Sequence, residues 1–179
     1  MTDKILTQAA EKKLFSAACV IETKKIVFKP EFRPFCEENY CGQYDANYSC
    51  PPTCGTPEEM KARILRYRYA LVLQSKWHIS DIHDKDAIYL AKLAHNHTSL
   101  ELKREIEADY GECLLAGCGC CMLCSPCAMR EGRPCKDPQE RYSCMSAYCI
   151  YVKDLAEKCG MEYDGKDGIT PLFSLIALE

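Results

Sequence analysis

A chain of 179 residues with 15 cysteines and a net charge of −3 is long enough to bury about 70 % of its unfolded surface in one core, so its thiols are not needed as covalent staples. The acidic balance argues against a nucleic-acid binder of the zinc-ribbon type, which carries a basic excess. The opening Met1-Thr2-Asp3-Lys4-Ile5-Leu6-Thr7-Gln8 turns polar too soon for a secretion signal, and no later apolar run reaches membrane-spanning length. The expected setting is the cytoplasm, where clustered cysteines point to metal or redox chemistry rather than to disulfides. The odd count also leaves one thiol unpaired in any all-disulfide scheme.

Taken in order, residues 2–17 predict a short helix with Ile5, Leu6, Ala9 and Leu14 on its buried face. Ala18-Cys19-Val20-Ile21-Glu22-Thr23 and Ile26-Val27-Phe28 read as two extended pieces around a Lys24-Lys25 turn, with Cys19 as a small buried hydrophobe. A cysteine loop follows over about 36–55, holding Cys36, Cys41, Cys50 and Cys54 among glycines, prolines and tyrosines, a composition that opposes regular secondary structure and lets the backbone close around a ligand. Thr56-Pro57-Glu58-Glu59 is a helix start, with Thr as N-cap and Pro at the first helical position. That helix is expected to run to about Tyr67, and its basic, aromatic run Lys61–Tyr69 reads as a solvated face rather than a docking patch.

Tyr69–Gln74 then reads as a strand, and Ile88, Ala91, Thr98, Leu102 and Ile106 predict a helix from Asp84 to about Tyr110. His95 and His97, two residues apart on it, point about 200° from each other and cannot chelate one ion from that element. They read as polar surface or interhelical side chains, while nothing in the sequence pairs His78 or His83 with the cysteines. Cys113–Gly117 is expected as a core strand, Ser143–Val152 leads into a short helix to about Lys158 with Gly160 just past its end, and Ile169–Leu178 reads as a buried terminal strand. Strands alternating with helices predict one domain over 1–179, an α/β or α+β sandwich whose small mixed sheet is flanked by helices and carries two cysteine-rich loops.

The second loop, about 113–138, bears the densest chemistry. Cys118, Cys121, Cys124 and Cys127 recur every third residue, and Cys135 follows Pro134. Thiols at i, i+3 and i+6 in a Gly- and Pro-punctuated loop can all turn inward on one small object. This is the pattern of a loop wrapped over three iron corners of an iron–sulfur cube, a more distant cysteine holding the fourth. Zinc is the competitor, but it usually takes two C-x2-C knuckles roughly 15–20 residues apart, whereas here the pairs overlap.

The string Glu22-Thr23 … Cys36 … Asn39-Tyr40-Cys41-Gly42-x-Tyr44-x-x-Asn47-x-x-Cys50-Pro51-Pro52 resembles the signature of a family of small prokaryotic proteins of unknown function, described only as predicted metal-binding proteins. Cys121-x2-Cys124-x2-Cys127 … Arg133-Pro134-Cys135-x2-Pro138 is similar to that family's second signature, in the expected order. The resemblance implies that Cys36, Cys41 and Cys50 form one ligand group and Cys121, Cys124, Cys127 and Cys135 another; it supplies no reaction. Cys118 and Cys120 are additions to the family pattern, and Cys118 is a candidate substitute for Cys135. Cys149 and Tyr151 are departures where the family carries a Gly-Ile-Asp-Val type of sequence.

Two readings from different classes follow. One is a redox or electron-transfer protein with one or two [4Fe-4S] clusters and a redox partner protein, Cys54 completing the first group or leaving an open iron of Lewis-acid character. The other is an interaction module whose closed thiolate sites hold structural zinc. Cysteine-nucleophile catalysis ranks below both, since no motif links a histidine to a thiol. Cys113, Cys118, Cys120, Cys144, Cys149 and Cys159 stay open as core filler, extra ligands or redox thiols.

Overall fold

The computed structural model describes residues 1–79, 81 and 83–179. Five strands form one mixed sheet: β1 (Ala17–Glu22), β2 (Tyr69–His78), β3 (Leu114–Gly117), β4 (Ser143–Cys144) and β5 (Ile169–Leu178), in the order β1-β2-β5-β3-β4. Neighbours are antiparallel except β3 and β4, which run parallel with Gly117 opposite Cys144. The helices are α1 (Thr2–Glu11), α2 (Arg33–Glu37), α3 (Pro57–Leu65), α4 (Lys85–Tyr110) and α5 (Val152–Lys158). The architecture is α+β, a small mixed sheet flanked by helices, as the alternation of patterns predicts.

The two central strands explain the layering. Leu71 and Leu73 of β2 and Ile176 and Leu178 of β5 pack with Ile5 and Ala9 of α1 and Leu100, Leu102 and Ile106 of α4. Ala70, Val72, Phe173, Leu175 and Ala177, the alternate residues, face Met60 and Ile64 of α3 and Leu155 and Ala156 of α5. With both faces covered, β5 is buried without interruption from Leu172 to Leu178, which is why it reads as one apolar run.

Local chemistry sets the helix ends. Thr56 and Glu59 make a reciprocal capping box on α3, the Glu59 amide donating to Thr56 Oγ1 at 3.2 Å and the Thr56 amide to Glu59 Oε2 at 2.9 Å. Asp84 Oδ1 accepts from the Ala87 amide at 2.9 Å to start α4, and Gly111, at φ +86, stops it. Gly160, at φ +66, lies just past the end of α5 as its sequence position predicts.

Several boundaries differ from expectation. α1 stops at Glu11 because the chain turns through Lys12–Phe15 to deliver Ser16, whose amide donates to Gln74 O at 2.8 Å; Leu14 therefore lies in the turn. Ile26–Phe28 contributes only the bridge Phe28↔Ile150, Thr23–Lys25 being a 3-10 turn. β2 runs on to His78, since all ten of its residues find partners on β5. Regular structure also enters the first cysteine loop, where α2 takes in Phe35 and Cys36 behind Pro34, whose fixed φ suits a helix start. Cys19 is half-buried beside Cys159 rather than sealed in the core.

His95 and His97 point apart as their spacing requires. His97 is exposed and pairs with Glu101 at 3.4 Å. His95 is fully buried and packs α4 onto the sheet rather than onto another helix: its Nδ1 is 2.6 Å from Ser75 Oγ and its Nε2 2.9 Å from Ser174 Oγ. Ser75 Oγ also accepts from Trp77 Nε1 at 2.7 Å, and Ser99 Oγ lies 2.9 Å from Ser174 Oγ. Burial lowers the His95 pKa to about 3, so the ring is neutral and every polar atom around it has a partner.

Candidate metal centre

The parallel pair β3–β4 organises the site. The chain leaves β3 at Gly117 into the second cysteine loop and returns on β4 through Cys144, so the loop's two ends are held side by side at the sheet edge. Cys121, Cys124, Cys127 and Cys135 line one cavity of about 90 Å³. That is several times the space one water molecule needs. Burial pushes the Cys121 thiol up to about 11, so it stays protonated at neutral pH unless its sulfur binds a strong Lewis acid and the proton is released to solvent.

The first loop forms the other wall, and buried polar side chains fix it in place. The Cys121 amide donates to Ser49 Oγ at 2.8 Å, Ser49 Oγ donates to Asn47 Oδ1 at 2.9 Å, and Asn47 Nδ2 donates to Cys121 O at 3.1 Å. The ring closes on both backbone groups of Cys121, and Asn47 and Ser49 are buried. Tyr48 Oη donates to Arg133 O at 2.9 Å, and the Arg130 guanidinium donates to Gly42 O. From α4, Asn96 Oδ1 accepts from the Cys118 amide at 2.9 Å, and from the segment before β4 Tyr142 Oη accepts from the Met122 amide at 3.1 Å. Both pack on Gly117, where a Cβ would lie 2.7 Å from Asn96 Oδ1 and 2.8 Å from the Tyr142 ring; only glycine admits this approach.

A larger cavity, of about 1110 Å³, opens on the far side of the same loop. Cys36, Cys41 and Cys50 of the first loop line it together with Cys118, Cys120 and Cys144, while Cys121, Cys124 and Cys127 belong to both cavities. Cys118 thus lines the large cavity and Cys135 the small one. Cys54 does not line the large cavity; it is buried against a separate one of about 210 Å³ with Arg63 and Tyr148. Arg33 spans the gap, donating from Nη1 to Gly55 O and from Nη2 to Ala147 O, each at 2.9 Å. Burial raises the Cys36 and Cys54 thiols, and the adjacent Arg33 guanidinium opposes that rise.

Cys120 behaves differently from its neighbours. A hydrogen bond from the Cys50 thiol, helped by the Lys92 and Arg130 charges, brings its pKa down to about 7, while Cys50 as the donor is pushed up. Cys118 and Cys144, held in dry surroundings, rise to about 12. Among the described residues no group of three or more His, Cys, Asp or Glu side chains is drawn together tightly enough to hold a single metal ion as it stands. The thiols line volumes instead of converging on a point. No histidine lines any of these cavities, and Cys19, Cys113 and Cys159 lie outside the two cavities of the cysteine loops.

An all-thiolate donor set selects soft metals, zinc or iron–sulfur among them, over magnesium or calcium. Cys144, Lys92 and Arg130 carry no sequence signal for this site; Cys144 reaches it only through the parallel pairing of β4 with β3. Comparison with known proteins returns no matching curated protein and no matching solved structure. The model of one family, described as "Predicted metal-binding protein (DUF2284)", matches residues 19–178, a span that takes in both cysteine loops and all five strands but for the first two residues of β1. The chain belongs to that family of predicted metal-binding proteins.

Proposed function

We propose that this is an iron–sulfur protein of redox function, with one or two [4Fe-4S] clusters. Cys121, Cys124, Cys127 and Cys135 would hold the cluster of the second loop, and Cys36, Cys41 and Cys50, which line the large cavity together, would supply three corners of a second, leaving its fourth iron open, since Cys54 is buried against another cavity. The observation that carries the reading is the shared cavity of about 90 Å³: four thiols surround a volume while no three close on one ion. That arrangement suits a group with a body of its own, bound at its corners, better than one zinc ion gripped at a point. When bound, such a cluster takes up and releases one electron.

The chain's own residues do the rest. Asn47 and Ser49 hold the backbone of Cys121 against the first loop, so the segment that carries this sulfur is anchored before anything binds. Arg33 brings positive charge to Cys36, a thiol that must be ionised to act as a ligand. The placement of Cys118 and Cys135 in different cavities yields the test. In protein purified without oxygen, Cys135→Ala loses the iron of the second loop, about four atoms per chain, whereas Cys118→Ala retains it. Loss with Cys118→Ala and retention with Cys135→Ala, read by iron and acid-labile sulfide assay, would overturn the ligand assignment.

A further inference from the structure

The large cavity has more room than its thiols account for. At about 1110 Å³ it lies just above the usual range of small-molecule sites, about 300 to 1,000 Å³. Its lining holds three cations, Lys85, Lys92 and Arg130, and no aspartate or glutamate, although the chain as a whole carries a net charge of −3. Among the described residues none of the three is in an ion pair.

Their placement is structured. Lys85, Ile88, Tyr89 and Lys92 follow one another at steps of three, one and three along one face of α4, which forms a wall of the cavity. Lys92 is half-buried, its stem packed on Gly119, where a Cβ would lie 3.4 Å from Lys92 Cδ. Arg130 is tethered to Gly42 O across the loops. Lys85 stands about 10 Å further along the helix axis, so the positive charge runs from the thiols out to the exposed start of α4.

Another part of the lining, apart from α4, is aromatic. Phe32 packs on Phe35 with ring centroids 6.0 Å apart and edge-on to Tyr151 at 5.8 Å. Phe35 and Tyr40 stay 64 % and 90 % exposed at the mouth, large apolar surface that bare solvent does not favour. A cationic ligand would meet three like charges here and a neutral one would leave them unanswered. An anion with a flat apolar body meets both walls at once.

We infer that this cavity binds a small organic anion with an aromatic or similarly flat body, its charge held by Lys92 and Arg130 and its body against the aromatic wall. The inference rests on the reading above only in placing that ligand, as substrate, beside the metal centre; the anion site itself stands on charge and shape.

The test is calorimetric titration of oxygen-free, metal-assayed protein with phenyl phosphate, phenylacetate, inorganic phosphate, benzyl alcohol and benzylamine. One of the two aromatic anions binds saturably at one site per chain, while inorganic phosphate, the alcohol and the amine each bind at least about tenfold more weakly. Lys92→Gln combined with Arg130→Gln weakens the aromatic anion at least about tenfold. Lys85→Gln, a change on an exposed side chain that leaves the fold alone, weakens it about threefold. Absence of saturable binding by metal-loaded protein, inorganic phosphate binding as well as the aromatic anions, or indifference to these substitutions would overturn the inference. Anion binding by a chain that holds no iron would instead defeat the iron–sulfur reading and leave the anion site standing.

Discussion

Replacing Asn47 by alanine lowers the unfolding free energy by about 3 kcal/mol and loosens the metal centre with it. The side chain makes three hydrogen bonds, donating to Cys121 O and accepting from the amide and the hydroxyl of Ser49, in surroundings where it is 3 % exposed. Each buried bond contributes about 1 kcal/mol, and the carbonyl of Cys121 loses its partner without gaining water. The second effect follows from geometry. Ser49 Oγ, freed from Asn47, no longer has its lone pair directed at the Cys121 amide, so both backbone anchors of that cysteine weaken together. Urea unfolding gives the first quantity and iron retention after dialysis against a chelator the second. Ser49→Ala, which removes one link of the ring, is expected to cost about half as much; equal stability of Asn47→Ala and the parent would show that the two loops are held by something else.

Acidification below about pH 6.5 destabilises the protein through His95, by about 2 kcal/mol at pH 5. In the folded state burial holds this histidine neutral down to about pH 3. In the unfolded chain it protonates at about 6.5. Above that value neither state binds the proton and the contribution is fully present. As pH falls between the two values only the unfolded state gains a proton, so stability drops by about 1.4 kcal/mol per unit. Charging the ring in place would also strand a cation between Ser75 and Ser174, neither of which carries a charge to answer it. His95→Gln is less stable at pH 7 but shows little further loss between pH 7 and pH 5, because the group that titrates is gone. Parallel slopes for parent and variant would place the acid sensitivity elsewhere.

Local signals in the sequence correspond closely to local structure. The helix start at Thr56, the span of α4 from about Asp84 to Tyr110, and the apolar run of β5 are each decided by nearby residues, and each lies where it reads. The failures come from partners distant in sequence. β2 extends to His78 because β5 is there to pair with it, and α1 ends early because Ser16 must reach Gln74. β4, two residues long, exists only beside β3 and has no pattern of its own.

The site divides in the same way. Cys121, Cys124 and Cys127 share a loop, and Cys135 follows closely enough for spacing alone to suggest a common ligand. Cys54, four residues after Cys50, belongs with it by spacing, yet the turn that carries it buries its side chain against another cavity. Cys144, Lys92 and Arg130 come from a strand, a helix and a loop that meet only in the folded chain. The asparagine of the Asn47-x-x-Cys50 signature is legible as a motif, but its role as the bracket between the two loops appears only once Cys121 is seen beside it.

The central claim is that sulfurs of the second loop surround an iron–sulfur cluster. Iron, acid-labile sulfide and zinc should be measured on protein purified under strict exclusion of oxygen, with electron paramagnetic resonance spectra recorded before and after reduction. The account predicts iron and sulfide in equal amounts, about four or eight of each per chain, and a paramagnetic signal that changes on reduction. Stoichiometric zinc without sulfide, in a colourless protein whose spectrum does not respond to reductant, would contradict it.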